Sequence, residues 1–281
     1  MQYKTIDVEG LSTFYRECGS KDKPVMLLLH GTATSSYMFR NLMPLLGQTF
    51  HVIAPDYIGC GNSAAPDHTK FNYTYEHLTD YLDALLEELR VEKFYMYVFD
   101  DGAPIGFNLA RRHPYNILGI VSQNGNIYQE GLGPEWNERQ QYWKKPTQEL
   151  REKYKAIFSP DAIKSLYLTG EKANAISPDG YAMDIYNSQK DNDFVERQSD
   201  LLVDYQNNVK NYSDYQNFLR KHHPDLIVAW GRNDPRYIYP GALAFQRDDS
   251  DVDIHLLNAG HFALESHYEE IADLICNKWG K

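Results

Sequence analysis

Apolar positions along this chain fall into two rhythms. Residues 25–29, 50–54, 94–99 and 117–122 are short, nearly continuous apolar runs bounded by small or polar residues. Runs of that length suit strands buried on both faces of a parallel sheet. Between them the spacing changes to that of helices. Residues 35–46, 73–89 and 103–112 read as helical, the second through Leu78, Tyr81, Leu82, Leu85 and Leu86. Ahead of all this, segments 4–8 and 11–17 alternate around Glu9-Gly10 and read as a hairpin.

The strand–helix alternation predicts right-handed crossovers and a mostly parallel sheet. It breaks off at about residue 127. From there to 222 the chain is polar, rich in Tyr, Gln, Asn and Lys, with helical patches and no clear buried strand. The alternation returns at 226–230, 242–247 and 252–256 and closes with a helix over 261–279. A helical block interrupting one sheet in this way is expected to be a cap on a single core. Repeats and low-complexity tracts are absent from the sequence.

Composition narrows the partners. A formal net charge of −11 argues against nucleic acid and anionic membrane surfaces. No apolar run is long enough to span a bilayer. No apolar stretch follows Met1-Gln2-Tyr3-Lys4, so no signal peptide is expected, and a cytoplasmic setting is the simplest expectation. Cys18, Cys60 and Cys276 show no metal or redox spacing and read as small, partly buried residues. The expected partner is a small molecule, with the chain acting as monomer or homodimer and with neither cofactor nor metal.

In an open α/β sheet, ligands sit at the carboxyl ends of the strands. The residues found there are His30-Gly31-Thr32, the 56–63 segment, Asp100-Asp101-Gly102, Gly231-Arg232-Asn233-Asp234 and Asn258-Ala259-Gly260-His261. A nucleophile candidate, an acid and a histidine thus follow one another in the chain order of an α/β-hydrolase triad. The turn bearing the nucleophile needs small residues two positions to either side. Asp100 has Val98 and Gly102 there, whereas Asp101 would require bulky Phe99, so Asp100 is the better candidate. No Gly-x-Ser-x-Gly occurs anywhere, which argues against a serine esterase.

Val98-Phe99-Asp100-Asp101-Gly102-Ala103 resembles the nucleophile elbow of the aspartate-nucleophile α/β-hydrolases, the group that holds epoxide hydrolases and haloalkane dehalogenases. The resemblance implies the α/β-hydrolase fold. Its expected form is a mostly parallel eight-stranded sheet with helices on both faces and a helical cap inserted before the last two strands. The core would comprise residues 1–126 and 223–281 and the cap residues 127–222. It also implies a mechanism. Asp100 attacks an electrophilic carbon to leave an alkyl–enzyme ester, and His261, oriented by Asp234, activates the water that hydrolyses it. Backbone N–H groups of Thr32 and Asp101 would hold the oxyanion.

The leaving group sets the subclass. Epoxide hydrolases use cap tyrosines as proton donors, and Tyr205 and Tyr142 are the candidates here. Dehalogenases usually carry Asn after His-Gly and Trp after the nucleophile, where this chain has Thr32 and Asp101. An Asp101 carboxylate about 4 Å from a departing halide would repel it by roughly 4 kcal/mol at an effective dielectric near 20. The leading expectation is therefore an epoxide hydrolase-like enzyme. The alternatives are a haloalkane dehalogenase, or a fluoroacetate-type one using Trp143 with Tyr142 and Tyr205, and a ligand-binding protein that retains an idle triad. Epoxide hydrolases also favour His-Gly-x-Pro, and Ala33 replaces that proline. Adjacent buried carboxylates raise each other's proton affinity, so a protonated Asp101 could serve a leaving oxygen.

Each candidate has a plainer reading. Asp100 could be a helix cap, Asp234 a turn residue and His261 a helix-start residue. With 22 tyrosines in the chain, tyrosines in the cap are expected by chance, and Trp143 could simply be cap core. His222-His223 reads as surface, and the glycine-rich 56–63 segment reads as structural.

Overall fold

The computed structural model describes residues 1–280. Strands β1 (Gln2–Val8) and β2 (Leu11–Cys18) form the expected hairpin, pairing Val8 with Leu11. Its two-residue loop has left-handed backbone at both Glu9 (φ 49°) and Gly10 (φ 82°). That twist matches the flanking strands.

Six more strands follow: β3 (Val25–Leu29), β4 (His51–Pro55), β5 (Phe94–Phe99), β6 (Ile117–Gln123), β7 (Asp225–Gly231) and β8 (Asp253–Leu257). The sheet order is β1-β2-β4-β3-β5-β6-β7-β8. The pairs β1–β2 and β2–β4 are antiparallel, and the rest are parallel. This is the α/β-hydrolase fold.

The continuous apolar runs serve two cores at once. In β5, Phe94, Met96 and Val98 face one core, while Tyr97 and Phe99 face the other. The first core is completed by α2 (Tyr75–Glu88) and α3 (Gly102–Arg112), the second by α1 (Leu42–Leu46) and α10 (Ala263–Trp279). Each fully buried Leu or Phe contributes about 1.5–3 kcal/mol relative to exposure. Strands clamped on both faces give rigid carboxyl ends.

Two local expectations need correction. The single helix expected over 35–46 is instead a short 3-10 turn, Ser36–Phe39, followed by α1. Pro44 is the reason: it lacks an N–H and is tolerated only in a first turn, so the helix must restart just before it. The closing helix begins at Ala263, leaving His261 in the loop ahead of it.

Between β6 and β7 the chain forms helices α4 (Glu135–Lys144), α5 (Gln148–Lys155), α6 (Pro160–Leu168), α7 (Pro178–Gln189) and α8 (Phe194–His222). The remaining α9 (Pro240–Ala244) lies between β7 and β8. The 56–63 segment is held by its own bonds: Asp56 accepts the N–H groups of Ser36 (2.7 Å) and Asn62 (2.8 Å). Among the described residues, no helix is long and apolar enough to cross a membrane.

Candidate active site

Asp100 directly follows β5 with φ 48°, a left-handed conformation unusual outside glycine. Such strain clusters where a side chain must be held in a fixed direction. The turn is tight enough to exclude bulk next to it. A Cβ on Gly102 would lie 2.3 Å from the Leu29 carbonyl oxygen, and one on Gly31 would lie 2.7 Å from the Asp100 Cβ. Helix α3 starts immediately afterwards, so its positive end faces the carboxylate.

Asp100, Asp234 and His261 come together. His261 Nδ1 lies 2.7 Å from Asp234 Oδ2, and its Nε2 lies 3.8 Å from Asp100 Oδ2. All three are buried. The Thr32 N–H donates to Asp100 Oδ2 at 2.9 Å. Asp100 Oδ1 and His261 Nε2 are buried with no hydrogen-bond partner, so the two atoms that could do chemistry are unengaged.

The electrostatics follow from this arrangement. Burial opposes charge on Asp100, but His261, Arg236 and the Thr32 N–H outweigh it and hold the carboxyl well below its usual range. Burial likewise opposes charge on His261, yet Asp234 and Asp100 raise it to about 9. Both directions favour an imidazolium beside a carboxylate. For Asp101, burial and then Asp100 push the carboxyl up to about 7, with the hydroxyls of Thr32 and Tyr75 working the other way.

A small cavity, with about 290 Å³ of space between atoms, lies over these strand ends. From the sheet side it is lined by Thr32, Tyr75, Asp101, Arg236 and Tyr237. From the helical insertion it is lined by Trp136, Arg139, Phe158, Gln198, Leu202 and Tyr205, among others. Asp100 itself does not line it, but its neighbour Asp101 and its donor Thr32 do.

Of the cap residues singled out from the sequence, Tyr205 reaches this cavity, with its hydroxyl 3.4 Å from that of Tyr212. Tyr142 does not. It lines a separate groove with Arg151 and stacks on Tyr154 at 5.0 Å. Trp143 packs behind Tyr205, and its indole N–H donates to the Leu202 carbonyl at 3.0 Å. Helix geometry explains the difference. At about 100° per residue, Trp136, Arg139 and Trp143 share one face of α4, and Tyr142 falls off it.

Sequence reasoning missed Arg139, Arg236, Trp136 and Tyr237, and saw in Asn124 only a residue that stands at an alternative acid position and cannot be the acid. Asn124 continues the chain beyond β6 with φ 48° and donates to Asp234 Oδ2 at 2.7 Å. An arginine on the buried face of α4, at helical spacing from Trp136, was a readable signal. So was Arg236, two residues beyond Asp234. Among the described residues, no group of three or more His, Cys, Asp or Glu is placed to hold a metal ion.

Comparison with known proteins agrees with the fold. Residues 24–268 match the family model described as the alpha/beta hydrolase fold. A Saccharomyces cerevisiae protein described as an uncharacterized hydrolase is 39% identical over 97% of this chain and 95% of its own length. A haloalkane dehalogenase of Bradyrhizobium diazoefficiens is 40% identical over 43% of this chain and 38% of its own. The crystal structure of the haloalkane dehalogenase DbeA from Bradyrhizobium elkani superposes with a TM-score of 0.80 at 25% identity, covering 99% of this chain and 97% of that one. The chain belongs to the α/β-hydrolase fold family and is a hydrolase related to the haloalkane dehalogenases.

Proposed function

We propose that this hydrolase works through a covalent ester on Asp100 and opens epoxides, with residues 127–222 acting as the cap over the site. The observation that carries the reading is the unengaged Asp100 Oδ1, on a left-handed elbow beside an equally unengaged His261 Nε2. Oδ1 attacks carbon while Oδ2 rests on the Thr32 N–H, where the later oxyanion needs a donor, with the Asp101 N–H as second donor.

The protonation states make a closed cycle. Attack by Asp100 breaks the epoxide C–O bond, and the departing oxygen takes a proton from the Tyr205 phenol. Burial first, then Tyr212 and Tyr237, keep that phenol protonated. Ester formation removes the negative charge of Asp100, so the His261 imidazolium loses a stabilising partner and returns a proton to the tyrosinate. Neutral His261 then deprotonates water, hydroxide attacks the ester carbonyl, and diol leaves. The imidazolium–carboxylate pair is restored. Carboxylate, imidazole, phenol and water supply every atom and proton.

A second reading, carbon–halogen cleavage, draws support from the haloalkane dehalogenase relatives. The indole N–H groups near the cavity favour the epoxide reading. Trp136 donates to the Arg236 carbonyl at 3.0 Å and Trp143 to that of Leu202, so neither is free for a halide.

The test is mass spectrometry of His261→Gln protein after exposure to panels of epoxides and haloalkanes. An epoxide adds its whole mass to the peptide bearing Asp100. A haloalkane adds only its alkyl group. Absence of adduct from both panels, with the variant folded, would end the covalent reading.

A further inference from the structure

Two arginines in the cavity wall have too few partners for their burial. Arg139 is 4% exposed and Arg236 is 9% exposed. They come from distant parts of the chain, α4 and the loop after β7, and meet at the same cavity. A guanidinium offers five N–H donors. Among the described residues, the ion-pair partner of both is a single oxygen, Glu135 Oε1, 2.9 Å from Arg139 and 3.4 Å from Arg236. Glu135 is itself well exposed, so it neutralises them from the solvent side. The Arg236 atom that faces Glu135 is its Nε, which is buried and makes no hydrogen bond. The Arg139 guanidinium lies over the Trp136 ring, 4.5 Å from its centroid, which fixes its plane.

Burying unsatisfied donors on a charged group costs several kcal/mol, and such groups occur where a ligand completes them. Burial and the neighbouring Arg236 also hold Arg139 below its usual range, as expected of a cation short of counter-charge. Paired guanidiniums match the two oxygens of a carboxylate in a way that a neutral group does not.

We propose that the cavity takes a compact substrate bearing a carboxylate, held by Arg139 and Arg236, so that its electrophilic carbon faces Asp100. The proposal rests on the covalent reading above and names its substrate class: a short-chain oxirane carboxylate. The Asp100–carbon bond forms as the ring C–O bond breaks, the ring oxygen takes the Tyr205 proton, and one water releases a 2,3-dihydroxy acid. Arg236 also offsets the repulsion between an anionic substrate and anionic Asp100.

Two matched pairs test it. Propionate and propionamide are inert and differ in charge, and calorimetry on the intact protein compares them. Glycidate and glycidamide are the reactive counterparts, compared by ester yield in the His261→Gln protein. The expected result is a preference of about ten- to a hundredfold for each acid over its amide, from charge-assisted hydrogen bonds. Arg139→Gln should erase most of it and Arg139→Lys restore part. Equal binding of propionate and propionamide to the unaltered protein overturns the proposal, even if the variants do not fold. Propionate binding without an ester from any epoxide or haloalkane keeps the anion site and removes the covalent reading. Equal ester from glycidate and glycidamide, without propionate binding, does the reverse.

Discussion

Asn124 Nδ2 and His261 Nδ1 meet the same oxygen of Asp234, each at 2.7 Å. Asn124 is further fixed through Oδ1, which accepts the Gly231 N–H at 2.9 Å. The amide therefore sets the direction of the carboxylate that orients the imidazole. Replacing it with alanine removes a charge-assisted bond worth about 1.5–3 kcal/mol. Asn124→Ala should lower turnover by about tenfold or more. It should also raise the proton affinity of His261, because Asp234 loses the donor that partly neutralises it. Imidazole nitrogen shifts followed by NMR across pH 6–10 would read this, and an unmoved titration would contradict it.

Asp101 gives a pH prediction with a definite sign. Its folded-state value, about 7, lies above the ordinary aspartate value of 3.8. Folding therefore favours the protonated acid. The associated stability is fully present below pH 4 and is lost as pH rises towards 7. Asp101→Asn keeps an oxygen for the Thr32 and Tyr75 hydroxyls and removes the titration. The variant should match the parent near pH 4 and exceed it at pH 8, by up to about 4 kcal/mol. Thermal unfolding at the two pH values decides the matter. A constant difference between the proteins would mean that Asp101 does not titrate in this window.

What the sequence disclosed, and what it hid, divides along physical lines. Strands buried on both faces must be apolar throughout, so β3, β4, β5 and β6 were legible. Asp100, Asp234 and His261 were legible because each follows such a strand, in an order that few folds produce. Pairing across distant segments leaves no local trace. Arg139 and Arg236 meet only because α4 folds over the loop after β7. Asn124 could be recognised only as the residue standing where another acid might have been. Tyr142 and Trp143 were adjacent in sequence and were taken together, but a helix turns about 100° between neighbours and sends them to different environments.

The elbow should be intolerant of a single methyl group. A Cβ at Gly102 would meet backbone, the Leu29 oxygen at 2.3 Å and the His30 oxygen at 3.0 Å. Neither can move without distorting β3. A Cβ at Gly106 would instead meet a side chain, the Val98 Cγ1 at 2.5 Å, rather than backbone. Gly102→Ala should lose about 1–3 kcal/mol, by the usual magnitude for overpacking, together with activity. Gly106→Ala should lose less and retain its site. Denaturant unfolding of the two variants, with equal losses, would show that the strand end is softer than described.

The proton donor is separable from its neighbours by removing one oxygen at a time. Tyr205 is fully buried against the cavity, and its ring packs 4.6 Å from Trp136. Tyr205→Phe keeps that packing and deletes the acid. General acid catalysis contributes about 10²–10⁴-fold, so epoxide opening should fall within that range. A halide leaves without a proton, so any carbon–halogen cleavage should change far less. Tyr142→Phe removes a hydroxyl in a different groove and should leave both rates near those of the parent. Measured as single-turnover ester formation at Asp100, a large loss confined to Tyr205→Phe with epoxides assigns the phenol its part. Equal effects of the two variants would point to a general disturbance of the helical insertion, and the proton would have to come from elsewhere, with Asp101 an acid in the same wall.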